Sequence, residues 1–497
     1  MSKKTRLLAS LLASLLLAGS LASCAASTDD PADTKAPAQT TAAAQGETEI
    51  KDTLPEDLNY GDDDVVFISR DIGMGLADEI YAASINSDPV NDAIYERNKF
   101  VENRLGVKIT SIRDTEAIVD KVITSVNGGS ADYDVMVEYC WLAAPKTIEG
   151  YFANLRATEY LDFEKPWWTQ SYNDVVSYQD TQYGVTGAMV LSTYRRTYTT
   201  VFNKQLFTNA NQPYLYEHVE NGAWTLDKQA SLVPLLHKDN GNGQQDAEGD
   251  IFGFVSDDFI SVDPYWAACE VDILAKDSSG AYEWVFDSGK MHEVVEKVLD
   301  LYYGTDGGMY CITEDSSFQE QTRQMFADGY AAMATLCIHA LENSAVRSMT
   351  DEYGVIPMPK FDRNQTEYHS QMHDAFTIVC IPTTVHGERL EQMSAVLEAM
   401  ASASYRIVRP AYYETTLRTK IAQDPQSSEM MDLIIGGIRI DAGMVYSHNM
   451  GSFHKTLQEI VINKNNDTTS RFKTSSKSAQ SKLTKLTNML DKLAAQE

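Results

Sequence analysis

Positive charge is scarce in this chain. Lysine and arginine number 41 against 71 aspartates and glutamates, a formal net charge of -30. Such a balance repels polyphosphates and anionic lipid headgroups, so it excludes nucleic acid as a partner and excludes a membrane surface held by charge. Cysteine is scarce too, at six in 497 residues, and no C-x-x-C pair occurs, which argues against zinc and dithiol chemistry. Cys140, Cys269, Cys311, Cys337 and Cys380 are widely spaced, sit mostly in apolar surroundings and read as small buried residues. There is no G-x-x-x-x-G-K-[ST], no H-E-x-x-H and no G-x-S-x-G. A dinucleotide turn fails as well: Gly73 and Gly75 are followed by Asp78 where a third glycine is needed.

The single marked apolar run lies at the start. Lys3, Lys4 and Arg6 precede a Leu/Ala-rich stretch over residues 7–17, and Leu21-Ala22-Ser23-Cys24 closes it. A cationic head, about a dozen apolar residues and a small-residue site describe an export signal too short to persist as a membrane span. The closing quartet resembles the lipobox of bacterial lipoproteins, which implies cleavage before Cys24 and a lipid on its sulfur. Residues 24–58 are Ala, Thr, Asp, Pro and Gln with few large apolar side chains, the composition of a flexible tether. About 440 residues remain, enough for two or three domains.

Residues 64–69 (DVVFIS) read as a strand. Asp88-Pro89 opens a helix that Gly106 ends, with Ile94, Val101 and Leu105 at helical spacing. Residues 107–112 alternate as a second strand. Residues 115–127 carry a second apolar stripe and Gly128 as its stop, and residues 134–137 form a third strand. This β-α-β-α-β order predicts a parallel sheet with helices on its faces. Ligands of such sheets sit beyond the carboxyl ends of the strands, which selects Arg70 and Asp71, then Glu138, Tyr139 and Trp141.

Several stretches, in order, resemble an extracellular solute-binding protein of family 1, the carbohydrate-binding lipoproteins of ABC importers related to maltose-binding protein. They are NDAIYERNKFVENRLGVKI (91–109), ADYDVMVEY (131–139), TQYGVTGAM (181–189), TTVFNKQLF (199–207), ENGAWTLDK (220–228), FADGYAAMAT (326–335), EYGVIPMPKFD (352–362) and HDAFTIVCIP (373–382). The resemblance spans nearly all of the chain after the tether. It implies an α/β, two-lobed periplasmic-binding-protein-like fold of type II, each lobe a mainly parallel sheet flanked by helices. Lobe 1 is expected at 59–194 and 374–403, lobe 2 at 195–373 and 404–497. Leu483, Leu486, Leu490 and Leu493 keep helical spacing in a terminal helix packed on the body.

The resemblance also implies a ligand clamped between lobes, a permease partner, a monomer and attachment to the outer face of the membrane by lipid alone. Sugars present apolar C–H faces and a rim of hydroxyls, so their sites need aromatic platforms beside planar polar groups. Tyr139 and Trp141 beside Glu138 meet that need, as do Asp257, Asp258, Tyr265 and Trp266. Core packing is the competing reading for Trp141 and Trp266; Trp167, Trp168, Trp224 and Trp284 read as structural. His339 follows the strand on which the family often places a ligand-facing aromatic. Arg195 and Arg196 fall where the chain crosses between lobes, and Tyr446, His448 and Asn449 are weaker candidates. These aromatic, acidic strand ends favour sugars or cations over anions.

Residues 239–250 (DNGNGQQDAEGD) look like a calcium loop. Asn240, Asn242, Asp246 and Asp250 are its candidate ligands, but Lys238 occupies the first ligand position and Gly249 the place of the bidentate acid. No other cofactor is implied. The function expected is therefore a binding protein for an oligosaccharide rather than an enzyme. A binder of another solute such as a peptide, an exported glycosidase and an adhesion module remain alternatives.

Overall fold

In the computed structural model, residues 50–71, 78–247, 249–286, 288–313, 319–414, 417, 424–465 and 467–496 are described. The export signal, Cys24 and most of the tether lie outside them, as do Gly73 and Gly75. Residues from Lys51 onward form one compact unit built on two sheets.

The first sheet holds β1 (Asp63–Arg70), β2 (Val107–Asp114), β3 (Val135–Tyr139) and β11 (Thr377–Cys380), in the order β11-β3-β1-β2. Strand β1 runs parallel to β2 and β3, and β11 returns antiparallel to β3. The helix after β1 spans Pro89–Leu105. The Asp88 carboxylate accepts the amides of Val90 and Asn91, and Gly106 stops the helix at φ 61°, a left-handed conformation that suits glycine. The next helix is Ile118–Gly128, later at both ends than the apolar stripe predicts. Its first amide is held by the Glu138 carboxylate on β3, which fixes the start, and Gly129 rather than Gly128 takes the left-handed stop.

The second sheet holds β4 (Tyr198–Asn203), β5 (Phe254–Asp257), β8 (Met309–Ile312), β9 (Met333–Cys337) and β10 (Tyr353–Ile356), in the order β10-β4-β9-β5-β8. Strands β5, β8 and β9 are parallel, but β4 is antiparallel to both its neighbours. Four of the five strands therefore run the same way, as expected, and β4 alone runs against them, because it enters from the other lobe instead of through a local crossover helix. A hairpin of β6 (Leu274–Lys276) and β7 (Tyr282–Trp284) stands apart from both sheets.

The chain crosses between lobes at residues 194–198, returns at 370–376, and leaves again after helix Glu388–Ala403 for helix Pro425–Gly436. The terminal helix, Thr468–Ala494, buries Phe472, Leu483, Leu486 and Leu490. One apolar cluster runs unbroken from Ile68, Met136 and Cys140 of the first lobe through Phe376 to Trp266 and Phe472. The five cysteines among the described residues are free thiols, and all but Cys311 are buried. Among the described residues no helix is long and apolar enough to cross a membrane.

Candidate functional site

At the edge of the first lobe, the strand ends divide between scaffold and cleft. Glu138 is fully buried, and its two oxygens accept the amides of Ile118 and Tyr139, each at 2.8 Å. The expected ligand contact is thus a cap on the neighbouring helix, with burial holding its carboxyl above the usual range. Asp71 turns aside to Arg113, 2.8 Å away, which also reaches Asp78 at 2.7 Å. Arg70 and Tyr139 do meet: the guanidinium lies 5.0 Å from the ring centroid, and that of Arg196, from the first crossing, lies 5.9 Å from the same ring.

The strand ends of the second lobe divide in the same way. The Asp257 carboxylate is fully buried and accepts the amides of Phe259 and Ser261, at 3.0 Å each, and the Ser261 hydroxyl. It shapes the turn after β5. Asp258 faces a separate pocket of about 260 Å³ beside Tyr303, Cys311 and Lys464. Tyr265 is fully buried in the lobe, and its hydroxyl makes no hydrogen bond to the described residues. Neither lines the cavity that Trp266 joins, although Tyr265 and Trp266 are both buried on the short helix Pro264–Ala268. Trp266 packs edge-on against Phe286 and Phe472, and its buried indole N–H has no hydrogen-bond partner. A buried indole usually finds one.

Trp141 and Trp266, one from each lobe, line a single cavity with Gln371, Met372 and Asp374 of the return crossing and Asp441 of the late chain. The cavity holds only about 30 Å³, far below the ~300 Å³ at which ligand pockets begin. A ligand of sugar size enters only if the lobes part.

The crossing segments carry further titratable groups, of which Asp374 lines the cavity. Arg195 is buried and tied to Glu342, whose carboxylate also accepts the Tyr412 hydroxyl at 2.7 Å. His339 is buried; its Nδ1 lies 3.1 Å from the Arg195 carbonyl, and its Nε2 has no partner. Burial and the Arg196 charge hold the ring neutral. His373 Nδ1 lies 2.9 Å from Asp374, with His448 and His454 close enough to act on the same carboxylate. Burial favours the neutral acid, yet the three histidines together hold Asp374 below the usual range. Burial pushes His454 down to about 4. The His448 ring sits 5.7 Å from that of Trp141. Gln371, Asp374 and Asp441 are the cleft residues that the sequence reading passed over. HDAFTIVCIP marked the return crossing but not which of its side chains faced inward.

The loop at 239–250 is closed on itself. Asp250 is buried and accepts the amides of Asn240 and Asp246, at 2.9 and 3.0 Å. The Asn240 side-chain amide donates to Asp246 at 3.2 Å, and Asn242 accepts the Gln244 amide. Among the described residues no three His, Cys, Asp or Glu side chains converge as a metal site. Calcium needs six to eight oxygens around one point, and this arrangement does not fit it.

No protein-family model matches the sequence, and no curated protein matches it. Solved structures do match. A cyclic α-maltosyl-1,6-maltose binding protein from Arthrobacter globiformis aligns with TM-score 0.59 at 12% identity, over 85% of this chain and 99% of that one. An ABC transporter solute-binding protein from Thermotoga lettingae bound with α-D-tagatose aligns with TM-score 0.54 at 13% identity, over 85% and 100%. An ABC substrate-binding protein from Listeria monocytogenes in complex with cycloalternan aligns with TM-score 0.52 at 12% identity, over 86% and 99%. The fold is that of the ABC solute-binding proteins. In a solute-binding fold the cavity between Trp141 and Trp266 lies where two α/β lobes meet, at the carboxyl ends of β3 and β5.

Proposed function

We propose that this chain is the substrate-binding protein of an ABC importer, anchored by a lipid on Cys24 to the outer face of the membrane, holding an oligosaccharide between its lobes and delivering it to the permease. The observation that carries the reading is the pair Trp141 and Trp266, from opposite lobes, on one cavity, with the buried Trp266 N–H unpartnered. Two indole faces match the C–H faces of a pyranose, and an N–H left over matches its hydroxyl rim. Gln371 Oε1, also buried without a partner, supplies an acceptor from the crossing segment. The structural neighbours, two of them solved with a sugar bound and one named as a binding protein for a cyclic maltosyl-maltose, support the same class of ligand, and the quartet ending in Cys24 supports the anchor.

The chain performs no covalent step. Parted lobes admit the sugar, which then contacts Trp141 and Trp266 together only when they close. The ligand therefore stabilises the closed form by its differential affinity, and that form is the one the permease receives.

Thermal unfolding against a panel of oligosaccharides, with peptides as a separate arm, tests this. A ligand of the native state raises the melting temperature by mass action. The expected result is a shift with one glycan family and recovery of that glycan intact. A shift with peptides alone, or a cleaved glycan, contradicts the proposal.

A further inference from the structure

The acids at the strand ends and the guanidiniums beside them are satisfied to different degrees. Glu138 and Asp257 spend their oxygens on the chain's own amides and hydroxyls. Arg70 does not find comparable partners. Its Nε and Nη1 are buried and make no hydrogen bond to the described residues, and the carboxylate it faces, Glu138, stands 3.9 Å away. A guanidinium never loses its charge and carries five donors, so two buried donors without acceptors are an exception in need of a cause. Tyr139 does not supply one, since its ring offers Arg70 a face and no lone pair in line.

Other unsatisfied groups surround the same tyrosine. Glu79 is buried; one oxygen accepts the Thr377 hydroxyl at 2.8 Å and the other has no partner. Burial raises the pKa of this acid, against the opposing pull of the Arg195 and Arg196 charges and the Thr377 hydroxyl. Arg70, Arg196 and Glu79 all act on the Tyr139 hydroxyl, and Arg196 acts on His339, whose Nε2 is unpartnered. The surroundings of Tyr139 therefore gather two guanidiniums, with two buried Arg70 donors left over, although the chain as a whole is acidic. This reverses the preference for cations that the acidic strand ends imply in the sequence.

We propose that the ligand is an acidic sugar, a uronic-acid-containing oligosaccharide, whose carboxylate is received by Arg70 at the face of Tyr139 while its rings lie toward Trp141 and Trp266. The inference rests on the carbohydrate reading above and narrows it. A neutral hydroxyl satisfies one donor and leaves the charge uncompensated. A carboxylate has acceptor sites for both donors and supplies the counter-charge.

The test uses trimers of galacturonate, glucuronate and mannuronate, the methyl ester of each, and maltotriose. Each is titrated calorimetrically into the purified protein and into the Arg70→Gln variant. Esterification removes the charge and keeps the ring. One uronate is expected to bind at least about tenfold more tightly than its ester, the size of a hydrogen bond to a charged group. Arg70→Gln is expected to remove that difference. Equal affinity for acid and ester in the unaltered protein overturns the inference, whatever the variant does to folding. Binding of maltotriose with none of the uronates overturns it and leaves the carbohydrate reading standing. Failure of every acid, ester and neutral glycan overturns both.

Discussion

The Tyr178 hydroxyl donates a 2.7 Å hydrogen bond to the Asp491 carboxylate, joining the first lobe to the last turns of the terminal helix. The Gln179 side chain reaches the same carboxylate at 3.1 Å. Toward its other end that helix is fixed to the second lobe, where Phe472 packs on Trp266 and Phe286. One helix thus touches both lobes and backs directly onto a cavity-lining indole. Asp491→Ala removes the attachment to the first lobe only. The expected outcome is a loss of about 1 kcal/mol for a partly exposed bond, read as a lower melting temperature, with a larger radius of gyration in ligand-free scattering because the lobes part more readily.

Arg97 is a second fixed point, and a more costly one to remove. Its guanidinium is fully buried and donates to the Asn98 side chain, the carbonyls of Glu79, Ile80 and Met189, and the Ser404 hydroxyl. Burial pushes its pKa down to about 10, still charged at neutral pH. Arg97→Met strands these acceptors and is expected to cost about 3 kcal/mol or more by denaturant unfolding. Arg97→Lys recovers little of this, since an ammonium brings three donors from a single point.

Glu398 gives stability a dependence on pH. It is fully buried and accepts the indole N–H groups of Trp167 and Trp168, both at 3.1 Å. Burial pushes its pKa up to about 8 from the ordinary carboxyl value of about 4.5. Between those values the folded protein holds a proton that the unfolded chain releases, so this group's contribution is complete below the lower pKa and falls as pH rises toward 8. Glu398→Gln keeps the shape without the ionisation. Its melting temperature relative to the unaltered protein is expected to improve from pH 5 to pH 8; an unchanged difference contradicts the assignment.

The loop at 239–250 carries the opposite expectation to a calcium site. Because Asp250 and Asp246 are engaged with the loop's own amides, neither calcium nor a chelator is expected to move the melting temperature. Asp250→Ala is expected to lower it, through a stability loss of about 1–3 kcal/mol from amides left without their acceptor.

These residues also mark how far the sequence could be read. Asp88, Pro89 and Gly106 bound a helix by rules local to the chain, and Pro89–Leu105 follows them. The start of Ile118–Gly128 is set by Glu138 on a strand distant in sequence, so no local rule reaches it. The same contact removes Glu138 from the binding surface. Position after a strand selected Arg70, Tyr139 and Trp141, of which Arg70 and Tyr139 meet and Trp141 lines the cavity, but it could not separate Asp257, folded into its own turn, from Asp258, facing another pocket. The choice between Tyr265 and Trp266 depended on the direction of one short helix. Gln371, Asp374 and Asp441 join the cavity only through tertiary crossings, which leave no periodic signal.

The central claim is that a sugar is held between Trp141 and Trp266. The most direct measurement is calorimetric titration of Trp141→Ala and Trp266→Ala with the glycan that raises the melting temperature of the unaltered protein. Each variant removes a platform from one lobe, and a stacked aromatic contributes about 1 kcal/mol beyond its buried area. The account predicts that affinity falls at least about tenfold in both variants, while Trp224→Phe, whose indole donates to the Pro357 carbonyl inside the second lobe, binds as the unaltered protein does. Full affinity in both cavity variants would contradict it.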